Sequence, residues 1–585
     1  MHLVADRIAA MVQGRWTVTP VSGPGVVPVG ELELSLGDLG PGSATPWSLA
    51  NAGDTPVTVR SVAVVFRVVD AVEPLRMLRH GYQSWSRTDV AVLGVDRDPS
   101  TTPGSVEMMQ GVHHADQRRA LDGELRSEWV TLLRDSRGHT ILAGFDAGVD
   151  HDGTWRLRTA ADGAVELWAE AFLGDVQLAP GESRVLHPFT TDVVADGDVC
   201  SALDRWAARV GALCGARISA PYQVGWCSWY HYFHGVTEQH IRDNLSLAGD
   251  WPFDVFQIDD GYQSAIGDWL TTNEKFPSSL DVLADAVVAA GRRPGIWLAP
   301  FIVAPDSEVA TRHPEWLART ADGEPLWGMF NPAWGGGRGG IMYALDTTRP
   351  DVLHHIEGVC RSLVEAGFTY LKLDFTFAPS FDGVWADPSR TPAQRVRAGY
   401  EAVRRGAGEE AFLLGCGAPL SHVVGVVDGN RIGPDVAPSW TLPADAVTLP
   451  GYEATAPATV HSLVSTFARS FMHRRLWLND PDCLMLRSGE TELTPDAMTT
   501  WARAVAVSGG MALVSDDLAL LGPEARALLD EVLTVGRTVD RAAIGGPAPR
   551  CEDLLDAPAP TTLAAAGYRL VVDPTTGTSS LQRPE

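Results

Sequence analysis

Residues 351–378 read "DVLHHIEGVCRSLVEAGFTYLKLDFTFA". The first part has helical period and stops at Gly367; the rest, "YLKLDFTF", is an apolar strand run. The chain contains only two lysines, Lys275 and Lys372, and one of them stands inside this strand, two residues before Asp374. On a strand, residues i and i+2 share a face. A lysine in such a run is costly unless its charge is used. Paired with Asp374 it would keep that carboxylate ionised, as a nucleophile requires. The plainer alternative is a structural ion pair inside the fold.

Seven similar runs flank this one: "YQVGWCSWY", "VFQIDDGY", "RPGIWLAPF", "AFLLGCGAP", "NRIGPDVAPSW", "LWLNDPDCLML" and "GGMALVSDDLA". Segments of helical period, among them "SSLDVLADAVVAAG" and "AQRVRAGYEAVRRGAG", lie between several of them. Eight such runs predict a (β/α)8 barrel, with an open doubly wound sheet as the alternative. Before it, "ELELSLG", "VTVRSVAVVFRVV", "WVTLLRD", "HTILAGFD" and "AVELWAEAF" are short strand-like runs between turn residues, the pattern of a β-sandwich. The predicted organisation is a sandwich over 1–205, a barrel over 206–525, and a small C-terminal helix and β appendage over 526–585.

A chain of 585 residues exceeds a single core. Its net charge of −27 disfavours nucleic acid and anionic membranes as partners, because their phosphates would be repelled. Seven cysteines without a CxxC pair predict neither a disulfide framework nor a zinc site, and point to a reducing compartment. The start, "MHLVADRIAAMVQGRW", lacks an apolar signal core, so a cytoplasmic location is expected.

Five of the eight runs end in aspartates: Asp259-Asp260, Asp374, Asp435, Asp480 with Asp482, and Asp516-Asp517. In a barrel those ends face the catalytic mouth. Helix capping explains one or two of them. Two carboxylates facing one mouth, such as Asp374 and Asp435, are what glycoside hydrolysis needs. Arg431 stands four residues before Asp435. The adjacent Asp259 and Asp260 are acceptors suited to sugar hydroxyls, or ligands for a divalent cation. Trp226, Trp229, Tyr230, Tyr232 and Phe233 cluster at one strand end, and Trp269, Trp297 and Trp440 lie near others. Such rings stack on the apolar faces of sugars, although any one of them is more often core. His231 and His234 lack an obvious third partner for a metal. No phosphate-binding loop and no G-x-S-x-G elbow occur.

In this order the runs, together with "RHGYQSWS" at 79–86, resemble glycoside hydrolase family 36, the α-galactosidases or melibiases, in its compact bacterial branch. The resemblance implies a retaining exo-α-galactosidase acting on melibiose- or raffinose-like oligosaccharides. It implies Asp374 as nucleophile and Asp435 as acid/base, with Lys372 and Arg431 bound to the sugar and tuning both. It places Asp259 and Asp260 on the C4 and C6 hydroxyls and Cys416 near C2. Trp229, Tyr230 and Trp297 become the pocket wall, and Trp85 is lent from the sandwich. No metal and no cofactor is implied. Rival expectations are an α-N-acetylgalactosaminidase or galactosyl transferase on the same site, and a non-catalytic sugar-binding barrel. The chain departs from the family pattern at Ala299-Pro300, in its short C-terminal part and in "NPAWGGGRGG" at 331–340, a loop expected on the leaving-group side.

Overall fold

The computed structural model of the chain describes residues 1–21, 23–99, 120–335, 339–444, 446, 448 and 453–584. The β-branched run Val57–Val69 is a long strand paired antiparallel with His2–Val12 and Val165–Leu178, the centre of a six-stranded sheet. An eight-stranded antiparallel sheet packs against it, built on Ala44–Asn51, Ser183–Val193 and Thr140–Phe145. Aromatic rings join the layers: Phe66 meets Phe189 at 6.0 Å and Phe145 meets Trp155 at 5.3 Å. This is the expected sandwich.

The second part is an eight-stranded parallel sheet. Its strands are β1 Val224–Cys227, β2 Val255–Ile258, β3 Arg293–Leu298, β4 Tyr370–Leu373, β5 Phe412–Gly415, β6 Gly429–Arg431, β7 Leu478–Asp480 and β8 Ala512–Val514. Seven lie inside one of the predicted runs, and β6 starts one residue before its run. The ring closes beyond β7, where Leu484 N–H donates to Leu513 O at 2.7 Å and Leu484 O accepts from Ser515 N–H at 2.9 Å. Helices cover the strands, for example α1 Pro350–Glu365 before β4 and α2 Pro392–Ala407 after it. The sequence starts α2 with a capping box, Thr391 with Gln394, and a proline in the first turn.

Two connections break the simple repeat. Between β3 and α1 lies a three-stranded antiparallel sheet of Ile302–Val303, Ile341–Ala344 and Trp327–Phe330. Between β5 and β6, among the described residues, only a single 3-10 turn, Leu420–His422, replaces a helix, and there Gln83 of the sandwich bridges Pro419.

Both expected domain boundaries fall inside helices. Val199–Cys214 runs across 205/206, so the sandwich passes into the barrel through continuous helix. α4 Pro523–Ala543 runs across 525/526 and packs on α3 Pro495–Ser508 as the barrel's last helix. The true appendage is a four-stranded sheet from Arg550 to Gln582. It is fastened to the barrel by Trp440, whose indole N–H donates to Pro574 O at 2.7 Å. Trp440 is therefore a structural contact. Trp226, stacked on Phe256 at 4.2 Å, is core.

The sandwich also holds a neutral histidine pair. His151 Nε2 accepts from the His187 backbone N–H and His187 Nε2 accepts from the Asp150 backbone N–H, both at 2.8 Å. A protonated ring has no acceptor nitrogen, so this geometry requires neutral imidazoles. Burial pushes His151 down to about 3, and burial with the nearby His422 pushes His187 down to about 4. Their folded values lie below the unfolded one, so the stability they contribute is present above pH ~6.5 and is lost as the pH falls towards those values. Melting temperature is expected to fall between pH 7 and pH 5, with a shallower slope in His187→Gln, which keeps an acceptor that does not protonate. Equal slopes in the two proteins would remove the histidines from the account.

Candidate active site

The C-terminal ends of the barrel strands and one sandwich loop surround a cavity of about 170 Å³, lined by Trp85, Trp229, Asp259, Asp260, Trp297, Asn331, Trp334, Lys372, Asp374, Phe375, Asp435, Thr455 and Pro457. Eight of the eleven residues singled out by sequence meet here. Tyr230, Cys416 and Arg431 do not line it. All three are buried just behind it.

Lys372 does not pair with Asp374. Its ammonium lies 2.9 Å from Asp259 Oδ2, with Lys372 5% and Asp259 1% exposed. The reason is barrel geometry. Alternate strands fill one interior layer, and β2 and β4 flank β3. Lysine's long stem crosses that layer. Gln257 donates to the same carboxylate oxygen at 2.5 Å. Burial opposes the charge on Lys372, but Asp259 and the neighbouring acids hold its pKa well above the usual lysine value.

Asp374, at the end of β4, takes one partner from the neighbouring strand β3 and one from the next residue. Trp297 Nε1 donates to Oδ2 and Phe375 N–H donates to Oδ1, each at 2.9 Å. Trp297 stands beside Lys372 in the β3–β4 register, which delivers its indole to that carboxylate. Burial raises the Asp374 pKa. Lys372 and the Trp297 hydrogen bond oppose this, while Asp435 and Asp259 add to it.

Asp435 is half-buried and lies 3.1 Å from Arg431 Nη1. The same guanidinium reaches Asp480 at 3.0 Å and Asp482 at 2.8 Å. Asp482 also accepts from the Val436 N–H at 3.0 Å and from the Tyr230 hydroxyl. Tyr230 is thus a strut behind the acid rather than pocket wall. Burial, against the pull of Arg431, pushes Asp482 up to about 7. Asp516 is bound to Arg487 at 2.6 Å, and Asp517 caps the following turn through Ala519 N–H at 2.9 Å. The latter two pairs of acids therefore serve arginines and caps. Among the described residues no group of three or more His, Cys, Asp or Glu is placed to hold a metal ion.

Asp260 accepts from Trp334 Nε1 at 2.7 Å and Gln263 Nε2 at 2.6 Å, and His234 Nδ1 lies 3.1 Å away. Trp334 comes from the loop expected on the leaving-group side, of which residues 336–338 lie outside the described residues. Its ring packs on Phe375 at 5.0 Å. Trp334, Phe375 and Asn331 were missed in the sequence because a glycine-rich loop and a residue just past a strand carry no periodic signal. Phe375 adopts φ +50, which turns its ring back into the cavity.

Residues 224–378 match the Melibiase family model. The chain is similar to α-galactosidase AgaA of Geobacillus stearothermophilus, 28% identical over 155 residues, 25% of this chain and 20% of the relative. The structure of AgaA shares the fold, with a TM-score of 0.60 at 15% identity, covering 95% of this chain and 73% of that one. It is also similar to an A-type blood α-D-galactosamine galactosaminidase of Flavonifractor plautii, 27% identical over 215 residues, 34% of this chain and 20% of the relative. The matched stretches thus span about a fifth of these curated relatives. An α-galactosidase from Thermus thermophilus, solved with p-nitrophenyl α-D-galactopyranoside, is 26% identical with a TM-score of 0.65, covering 90% of this chain and 94% of that one. It has also been solved with stachyose.

The buried pair generates a stability prediction. Lys372→Met leaves the Asp259 carboxylate buried without its cation, and a loss of about 3–5 kcal/mol is expected. Adding Asp259→Asn should restore part of it, because the stranded charge is gone. Calorimetric unfolding of both variants checks this; a Lys372→Met protein as stable as the parent would mean that the pair carries no weight.

Proposed function

We infer that this chain, a glycoside hydrolase of the family 36 α-galactosidase type, removes terminal α-linked galactose from short oligosaccharides with retention of configuration. The observation that carries the reading is one cavity holding both Asp374 and Asp435, with Asp259 and Asp260 on its wall. The Thermus thermophilus neighbour, solved with an α-galactoside, supports the choice of sugar.

In this reading Asp374 attacks the anomeric carbon while Asp435 gives its proton to the departing oxygen. Asp435 then takes a proton from the water that releases the sugar from Asp374. Asp374 must be anionic to attack. Burial works against this, and Lys372 and Trp297 work for it. Lys372 serves both ends of the site: it neutralises Asp259, freeing that carboxylate to accept a sugar hydroxyl, and it lowers the cost of charge on Asp374. Its compact ammonium fits where arginine's planar fork would not. The aromatic rings of Trp85, Trp229, Trp297 and Trp334 leave the rest of the wall suited to an apolar sugar face. The Flavonifractor plautii protein, named for α-D-galactosamine, keeps a galactose with nitrogen at C2 as the second candidate, decided by the wall in front of Cys416.

Initial rates on p-nitrophenyl α-galactoside, α-N-acetylgalactosaminide and α-glucoside test this. Release from the galactoside alone is expected, falling on the order of 10⁴-fold in Asp374→Ala. Preference for the N-acetyl sugar would overturn the specificity, and full activity in Asp374→Ala would overturn the nucleophile.

A pH profile tests the tuning. Trp297→Phe removes a donor to the charged form of Asp374, so its pKa rises and the acidic limb of kcat/KM is expected to move to higher pH. A limb that stays in place would remove Trp297 from the tuning.

A further inference from the structure

Arg469 is fully buried and, among the described residues, is paired with no carboxylate. Its guanidinium instead donates to five backbone carbonyls. Nη1 reaches Ser84 O at 2.6 Å and Ile432 O at 3.0 Å, and Nη2 reaches Gly81 O, Gln83 O and Ser86 O at 3.3, 3.2 and 3.0 Å. Four of the five belong to one loop, 81–86, which the sandwich extends into the barrel. The fifth lies in the barrel segment that leads to Asp435. Burial pulls Arg469 down to about 9, which leaves it charged at neutral pH. A buried cation without a counter-ion is held only by carbonyl dipoles aimed at it, so the loop must keep its curl.

The curl has a consequence at the site. Gly81 lets the loop close on itself, since a Cβ there would meet Ser86 Cβ at 2.5 Å. Ser84 N–H donates to Ala418 O and Ser84 Oγ accepts from Ala418 N–H, both at 3.1 Å, which ties the loop to the helix-less β5–β6 connection. The next residue is Trp85. Its ring lines the cavity against Phe375, 5.0 Å away, and over Gly417, where a Cβ would meet it at 2.8 Å.

We propose that Arg469 is a positioning residue: it touches no substrate, and it sets the shape of the loop that places Trp85 in the wall of the active site. Its effect on turnover, which rests on the proposed α-galactosidase reading, passes through Trp85.

Two readouts separate this from a merely structural role. The first needs no substrate: acrylamide quenching of fluorescence, taken as the difference between each protein and its Trp85→Phe counterpart. Trp85 is expected to be protected in the parent and accessible in Arg469→Lys, whose three donors cannot serve five carbonyls. Protection that persists would overturn the proposal. The second is a double-mutant cycle on p-nitrophenyl α-galactoside. Arg469→Lys is expected to lower kcat/KM roughly tenfold in the parent and less than twofold in Trp85→Ala. Equal factors in both backgrounds would also overturn it. If Arg469→Lys does not fold, Arg469→Gln, which carries two donors and no charge, takes its place in both measurements with the same expected outcomes. A parent protein without turnover would sink the function and not the role of Arg469, which the quenching difference still decides.

Discussion

The Lys372 ammonium and the Asp259 carboxylate meet at 2.9 Å in a place almost without water. Neither charge is tolerable there alone, and the pair must be fully bonded to exist at all. That requirement sets much of the mouth of the barrel. Gln257 and the Cys227 thiol donate to the same carboxylate oxygen, the Asp260 backbone N–H donates to the other, and the Ser228 hydroxyl accepts from the Asp259 backbone N–H. The interior layer shared by alternate strands brings lysine and aspartate together across β3, and Trp297, on β3, is left to serve Asp374. The same logic repeats on the far side, where Arg431 is held among Asp435, Asp480 and Asp482. Two cations, each satisfied mainly by acids other than Asp374 and Asp435, leave those two facing the cavity.

The sandwich is part of this site rather than an accessory to it. Its loop 81–86 enters where the barrel lacks a helix between β5 and β6, and the gap in the repeat is what admits it. Tyr82 and Asp152 of the sandwich further grip His422 of that connection, at 2.9 and 2.8 Å. The wall that carries Trp85 thus depends on two domains being held in register by backbone carbonyls and a few buried side chains. Arginine suits that task because one planar group can address several acceptors at once.

Much of the site was legible because chemistry and period coincide on short parallel strands. Asp259, Asp374 and Asp435 each stand at the end of an apolar run, and that position alone predicts a place at the mouth. Partners were less legible. Spacing on one strand put Lys372 beside Asp374, whereas the pairing crosses to β2. Tyr230 sits in an aromatic cluster that reads as pocket wall, yet its hydroxyl turns to Asp482 behind the acid. Trp334 and Phe375 gave no signal, since one stands in a glycine-rich loop and the other owes its place to an unusual backbone angle.

The sequence by itself determined the sandwich, the eight barrel strands and the set of acids at their ends, because hydrophobic period and strand-end chemistry are local properties. It could not place domain limits, since helices Val199–Cys214 and Pro523–Ala543 carry the chain through both expected boundaries without a break in pattern. Only the tertiary structure decided which cation neutralises which acid, which tryptophans face the cavity and what holds the sandwich loop in place. Those are distances between residues far apart in the chain, fixed by closure of the barrel and by the need of every buried charge for a partner, and neither constraint is written in any one segment.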